Sequence, residues 1–129
     1  MKISGVIVAL LLILWSGAQV KAETYTVFMK NRAFNPAQLP IKVGDTVQWI
    51  NDDEDVHLVI SGKDLNDPAK GKPLDSGTLL PKQTFSYTFS TPGVYPYMCV
   101  IHWSLQSITG MAGMIGEVVV ETDDRAERR

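Results

Sequence analysis

Cys99, His57 and His102 are the residues whose types and spacing could do metal chemistry in this chain. The sequence holds one cysteine and two histidines, so these three account for every thiol and every imidazole. Cys99 and His102 form a C-x-x-H pair just after a strand-like run, where one turn can present both side chains. His57 is distant in sequence and joins them only if the fold brings separate segments to one end. Two imidazoles and a thiolate in a trigonal arrangement, with a thioether farther away on the axis, suit copper cycling between Cu(I) and Cu(II). Thiolate and thioether favour Cu(I), imidazole serves both states, and a rigid scaffold limits rearrangement on electron transfer.

Blander readings compete. A histidine at a strand start is ordinarily a surface or internally satisfied residue. A lone cysteine is an inert buried thiol, an intermolecular link or a nucleophile as readily as a ligand. A cysteine hydrolase, however, needs a larger scaffold and a third group to orient its base. Copper nitrite reduction needs a second histidine-rich site, and no histidines remain for one. An enzyme is therefore not expected. Structural zinc would need carboxylates to complete its coordination, and an adhesion sandwich needs no metal.

The elements that must position these residues read as short β-strands separated by turn residues, with no long helical period. Strands are expected over Tyr25 to Met29, Leu39 to Val43, Thr46 to Ile50, His57 to Ser61, Thr84 to Phe89, Val94 to Met98 and Ile115 to Glu121. The first four are expected to be antiparallel. Phe85, Tyr87 and Phe89 alternate with Ser86, Thr88 and Ser90, which sets one face toward a core. Gly44-Asp45 and Pro92-Gly93 supply tight turns, and Gly62 to Pro73 is a polar surface excursion with room for one helical turn. Seven to eight such strands argue for an all-β class, a sandwich of two sheets with Greek-key connections.

The length of 129 residues suits one domain, and the net charge of -2 gives no basic stripe for nucleic acid. Met1 and Lys2 precede an apolar run from Val6 to Trp15, and Val20-Lys21-Ala22 offers a cleavage site. This reads as a signal peptide over 1-22, cleaved after Ala22, rather than a retained anchor. The expected domain then covers 23-122 and a charged tail covers 123-129. The mature protein should be periplasmic or secreted, monomeric and without stable membrane insertion. Asp52, Asp53, Glu54 and Asp55 form an acidic run near His57, which is either a solvated turn or a patch that steers a basic partner.

The ordered pattern Phe34, Pro36, Leu39, Val43-Gly44-Asp45, Val47, Trp49, Asn51, Asp53, His57 resembles the first half of the plastocyanin, amicyanin and pseudoazurin family of cupredoxins. Asp75-Ser76-Gly77, Phe85 to Phe89, Pro92 to Tyr97, Cys99-Val100-Ile101-His102 and Met114-Ile115-Gly116-Glu117-Val118 resemble the second half, in order. The resemblance covers nearly the whole mature chain. It implies an eight-stranded cupredoxin-like Greek-key sandwich and one type 1 blue-copper site with ligands His57, Cys99 and His102. Met114, in a Met-x-Gly before a Val-rich strand, resembles the family's axial ligand; Met111-Ala112-Gly113 is a second candidate.

The segment Trp103 to Gly113 is longer than the family's usual spacing between second histidine and methionine. Ile101 also stands where the family often has proline, so its N–H could approach the Cys99 sulfur. Leu58 replaces the family's usual asparagine but keeps a backbone N–H for the same sulfur. The resemblance implies a one-electron carrier between redox proteins, which would dock near His102 and the 103-113 loop. Trp103, Leu105 and Ile108 lie in that loop. A second reading is copper buffering, delivery or resistance, with the long loop as a lid.

Overall fold

A computed structural model describes residues 21–102 and 113–124. The strands follow from alternation: in β4 (Thr46–Asn51) Val47, Trp49 and Asn51 point inward while the residues between them are half exposed. The other strands are β1 (Thr24–Lys30), β2 (Ala33–Asn35), β3 (Gln38–Lys42), β5 (Ile60–Ser61), β6 (Thr84–Thr88), β7 (Gly93–Met98) and β8 (Ile115–Glu121). Two four-stranded sheets result, ordered β2-β1-β4-β6 and β3-β8-β7-β5. The all-β sandwich is as expected.

Pairing direction departs from expectation. β1 runs parallel to β4 and β3 parallel to β8, while the remaining pairs are antiparallel. Parallel neighbours need long crossovers, and here those crossovers carry the chain between the two sheets. Pro40 lies in β3, at the edge of its sheet, where a missing N–H costs no ladder bond. The Gly62 to Pro73 excursion is a series of tight turns, closed by Asp67 N–H to Asp64 C=O, Lys70 to Asp67 and Lys72 to Ala69. The expected strand from His57 shrinks to Ile60–Ser61, because His57 makes only an isolated bridge to Leu79.

The core between the sheets contains Val27, Met29, Val47 and Trp49 from one side and Ile41, Tyr97, Val118 and Val120 from the other. Tyr97 sits edge-on to Phe34 at 4.7 Å and to Trp49 at 5.4 Å between ring centroids. Each such pair adds about 0.5–1.5 kcal/mol beyond its buried area. Gly116 permits this packing, since a Cβ there would lie 2.5 Å from the Tyr97 ring. Burial pushes the Tyr97 hydroxyl up to about 12, against a smaller pull from the Trp49 indole N–H. That N–H stops short of hydrogen-bond geometry with the hydroxyl. Met29 and Met98 are fully buried.

Candidate metal centre

Asn51, the last inward residue of β4, shapes the path to His57. Its side-chain amide donates to the carbonyls of Asp55 (2.8 Å) and Leu79 (2.9 Å), and its oxygen accepts the Asp53 N–H (3.0 Å). One buried side chain thus folds the 52–56 loop and ties it to the strand-like segment at Leu79. The His57 backbone then exchanges two hydrogen bonds with Leu79, at 3.1 and 2.8 Å. The imidazole is fully buried.

Asp53 fixes how that ring turns. Its carboxylate accepts the His57 Nε2–H at 2.7 Å, which leaves the Nδ1 lone pair facing inward. It also accepts the N–H groups of Asn31 (2.8 Å) and Arg32 (3.0 Å). Those residues have φ of 53° and 55°, a left-handed pair that aims successive N–H groups at one anion. Asp53 is held below its ordinary carboxylate value: burial opposes this, but the Arg32, His57 and Asn31 hydrogen bonds outweigh it.

Cys99 follows directly on β7 and is fully buried. Its N–H donates to the Met114 carbonyl at 3.0 Å, so the start of β8 is stitched to the thiol's own residue. A helical turn begins at Val100 and includes His102. Cys99 stands at the N-cap position of that turn, where a side chain faces the N–H three residues on. The donors at the sulfur are accordingly the N–H groups of Leu58, at 3.5 Å, and of His102. Ile101, the donor expected from sequence, is not among them, because the helical turn directs the N–H of the following residue there instead. Leu58 behaves as expected.

The three side chains converge. His57 Nδ1 lies 3.1 Å from His102 Nδ1 and 3.9 Å from Cys99 Sγ, and His102 Nδ1 lies 3.3 Å from the same sulfur. Bonds of about 2.0–2.3 Å to one ion in a trigonal plane put donor atoms roughly 3.5–4 Å apart. The observed triangle is slightly tighter, so a few tenths of an ångström of outward movement at His102 admits an ion. All three residues are buried. The histidine rings lie 4.7 Å apart between centroids and are tilted by 58° to one another.

The electrostatics ease loss of the thiol proton. Burial pushes the Cys99 thiol up, but the interaction with His57 and the N–H groups of Leu58 and His102 outweigh it and hold it below its ordinary value. Burial likewise disfavours charge on His57, yet bonds to Cys99 and Asp53 raise its affinity for a proton. His102 is lowered, first by burial and then by the charge of His57. Protons and a metal compete for these lone pairs.

Met114 is buried directly before β8, at the same end of the sandwich. Met111, Trp103, Leu105 and Ile108 lie outside the described residues, as does most of the 1-22 leader. The acidic run is not a free field: Asp52 pairs with Lys82 (2.6 Å) and Lys30 (3.5 Å), and Asp55 with Arg32 (3.1 Å). Sequence reasoning placed Asn51 and Asp53 in the family pattern, and Asp53 in the acidic run, but gave neither a part in the metal site. Their signal was the Asn51-x-Asp53-x-x-x-His57 spacing.

A model of the copper-binding proteins of the plastocyanin/azurin family matches residues 20–121. The chain belongs to that family. It is 36% identical over 108 residues to a plastocyanin of Synechococcus sp. (strain JA-2-3B'a(2-13)), covering 77% of this chain and 74% of the relative. It is 31% identical over 111 residues to the amicyanin of Paracoccus denitrificans, covering 83% of this chain and 72% of that protein. Among solved structures it resembles an amicyanin variant in its reduced state, at a TM-score of 0.59 and 30% identity, with 81% and 89% of the two chains covered. A purple cupredoxin from Nitrosopumilus maritimus gives a TM-score of 0.57 at 28% identity, covering 78% of this chain and all of that one. The protein is thus a cupredoxin with copper as its cofactor, an electron carrier for redox partners and not an enzyme.

Proposed function

We propose that this cupredoxin is an exported one-electron carrier whose copper would be held by His57, Cys99 and His102 together with the Met114 thioether. The observation that carries the reading is the buried convergence of two imidazole nitrogens and one sulfur within 3.9 Å of one another. When bound, copper supplies a one-electron change between Cu(I) and Cu(II). The chain's own residues hold the geometry through that change. Asp53 orients His57, two N–H groups draw charge from the Cys99 sulfur, and the Cys99–Met114 backbone bond fixes the spacing of two ligands. A scaffold that moves little lowers the cost of gaining or losing the electron.

Redox partners dock at the His102 end. His102 is 5% exposed beside Ile101 at 39%, and Leu80 and Ile115 are exposed on segments that reach the same end. A monomer meets partners there through an apolar surface around the ring edge. Export is read from the apolar leader and the Ala22 cleavage site, and the domain then runs over 23-122 with the tail beyond it.

Stopped-flow reduction and self-exchange measurements on copper-loaded protein test carriage. Fast exchange, slowed by Ile101→Asp, supports it. Exchange that is slow while copper passes readily to an apo-protein acceptor overturns carriage in favour of copper delivery.

A further inference from the structure

The end of the sandwich away from the candidate copper site holds a buried carboxylate in an unusual place. Asp45, in the turn between β3 and β4, is fully buried. Its Oδ2 accepts the Lys42 N–H at 2.9 Å and its Oδ1 accepts the N–H of Glu23 at 3.0 Å. Glu23 is the residue that the expected cleavage after Ala22 leaves first. We propose that removal of the leader turns this amide contact into an ion pair, so that the new α-ammonium of Glu23 clamps onto Asp45 and locks β1 in place.

The step is a hydrolysis by the peptidase that processes exported proteins. Water adds across the Ala22–Glu23 amide, the C–N bond breaks, Ala22 leaves as a carboxylate and the Glu23 nitrogen becomes an ammonium at neutral pH. The atom that gains charge already sits at hydrogen-bond distance from the carboxylate. Charge-assisted bonds are about twice as strong as neutral ones.

The register leaves little freedom in this. Thr46 N–H donates to the Glu23 carbonyl at 2.9 Å, and Thr24 stands opposite Thr46 in the parallel β1–β4 pair. Asp45 is fixed in turn by its own N–H to the Lys42 carbonyl (3.0 Å) and by the Phe89 N–H on its carbonyl (3.0 Å). One extra residue at the start moves the ammonium about 3.3–3.6 Å farther along the chain, out of reach of Asp45. The neighbouring Glu23 carboxylate is occupied by the Tyr25 hydroxyl at 2.8 Å, and the Lys42 ammonium by Glu121 at 2.8 Å.

The inference rests on the export reading, and two experiments keep them apart. The mass and N-terminal sequence of the exported protein test processing: a start at Glu23 is expected, and any other start overturns both the cleavage site and the claim that processing builds the pair. Copper-loaded protein released from a fusion to begin at Glu23 is then compared with protein beginning at Ala22 and with an Nα-acetylated Glu23 form. The unfolding equilibrium constant should rise about tenfold on extension or acetylation, and less than twofold when Asp45→Asn is already present. Should Asp45→Asn not fold, labelling of the α-amine by an N-hydroxysuccinimide ester decides. The Glu23 amine should react about tenfold more slowly than the Ala22 amine. Equal stability and equal labelling rates overturn the ion pair even if the exported protein begins at Glu23.

Discussion

Asn51→Ala is the substitution whose cost follows most directly from the geometry around the site. The wild-type amide is fully buried and makes three hydrogen bonds, to Asp55 C=O, Leu79 C=O and Asp53 N–H. Net values of about 0.5–1.5 kcal/mol per bond give a loss of roughly 2–4 kcal/mol. For a domain of about 100 residues this lowers Tm by roughly 10–25 °C. Asn51→Asp keeps the shape but turns an acceptor toward two carbonyls, so it should cost at least as much. Because the same bonds fold the loop that carries Asp53 and His57, copper affinity should fall about 10–100-fold alongside stability. Urea unfolding of the copper-free protein measures the first effect, and competition with a copper chelator measures the second. A stability change under about 1 kcal/mol with unchanged affinity would refute the claim that Asn51 builds the His57 loop.

Asp53→Asn keeps an oxygen near His57 but removes the charge that orients and strengthens its Nδ1. Copper affinity should drop about tenfold or more, with stability of the copper-free fold less affected; chelator competition and urea melts compare the two. Gly116→Ala places a methyl 2.5 Å from the Tyr97 ring. It should cost about 1–3 kcal/mol by overpacking, measured by chemical denaturation. Asp67 accepts the N–H groups of Lys63 (2.8 Å) and Ala69 (2.9 Å), which hold its carboxyl below its ordinary value. A depressed carboxylate stabilises the fold fully above its unfolded pKa and loses that contribution as pH falls through the folded value. Asp67→Asn should therefore make the acid limb of the stability curve shallower below about pH 4, as followed by circular dichroism.

Much of the architecture was legible because it rests on local signals. Alternation in Val47, Trp49 and Asn51 and in Phe85, Tyr87 and Phe89 marks strands whose inward residues the structure buries or half-buries. Pairing direction is a long-range property, so the parallel β1–β4 and β3–β8 ladders left no trace in local pattern. The three-residue β2 was too short to announce itself beside the left-handed Asn31-Arg32 turn. His57, Cys99 and His102 could be named by counting, since no other thiol or imidazole exists. The partners that shape their chemistry could not. Asp53 was one of four consecutive acids, and only the turn that aims two N–H groups and a histidine at it distinguishes it from a solvated charge. The sulfur's donor shifted from Ile101 to His102 because a helical turn begins at Val100.

Addition of Cu(II) to the mature protein, followed by visible and electron paramagnetic resonance spectra, tests the proposed ligand set most directly. One equivalent should produce an intense thiolate-to-copper absorption that saturates at one ion per chain, is absent in Cys99→Ser and is weakened or displaced in His57→Ala. A colourless product, or a spectrum unchanged by Cys99→Ser, would contradict the assignment of the sulfur as a copper ligand.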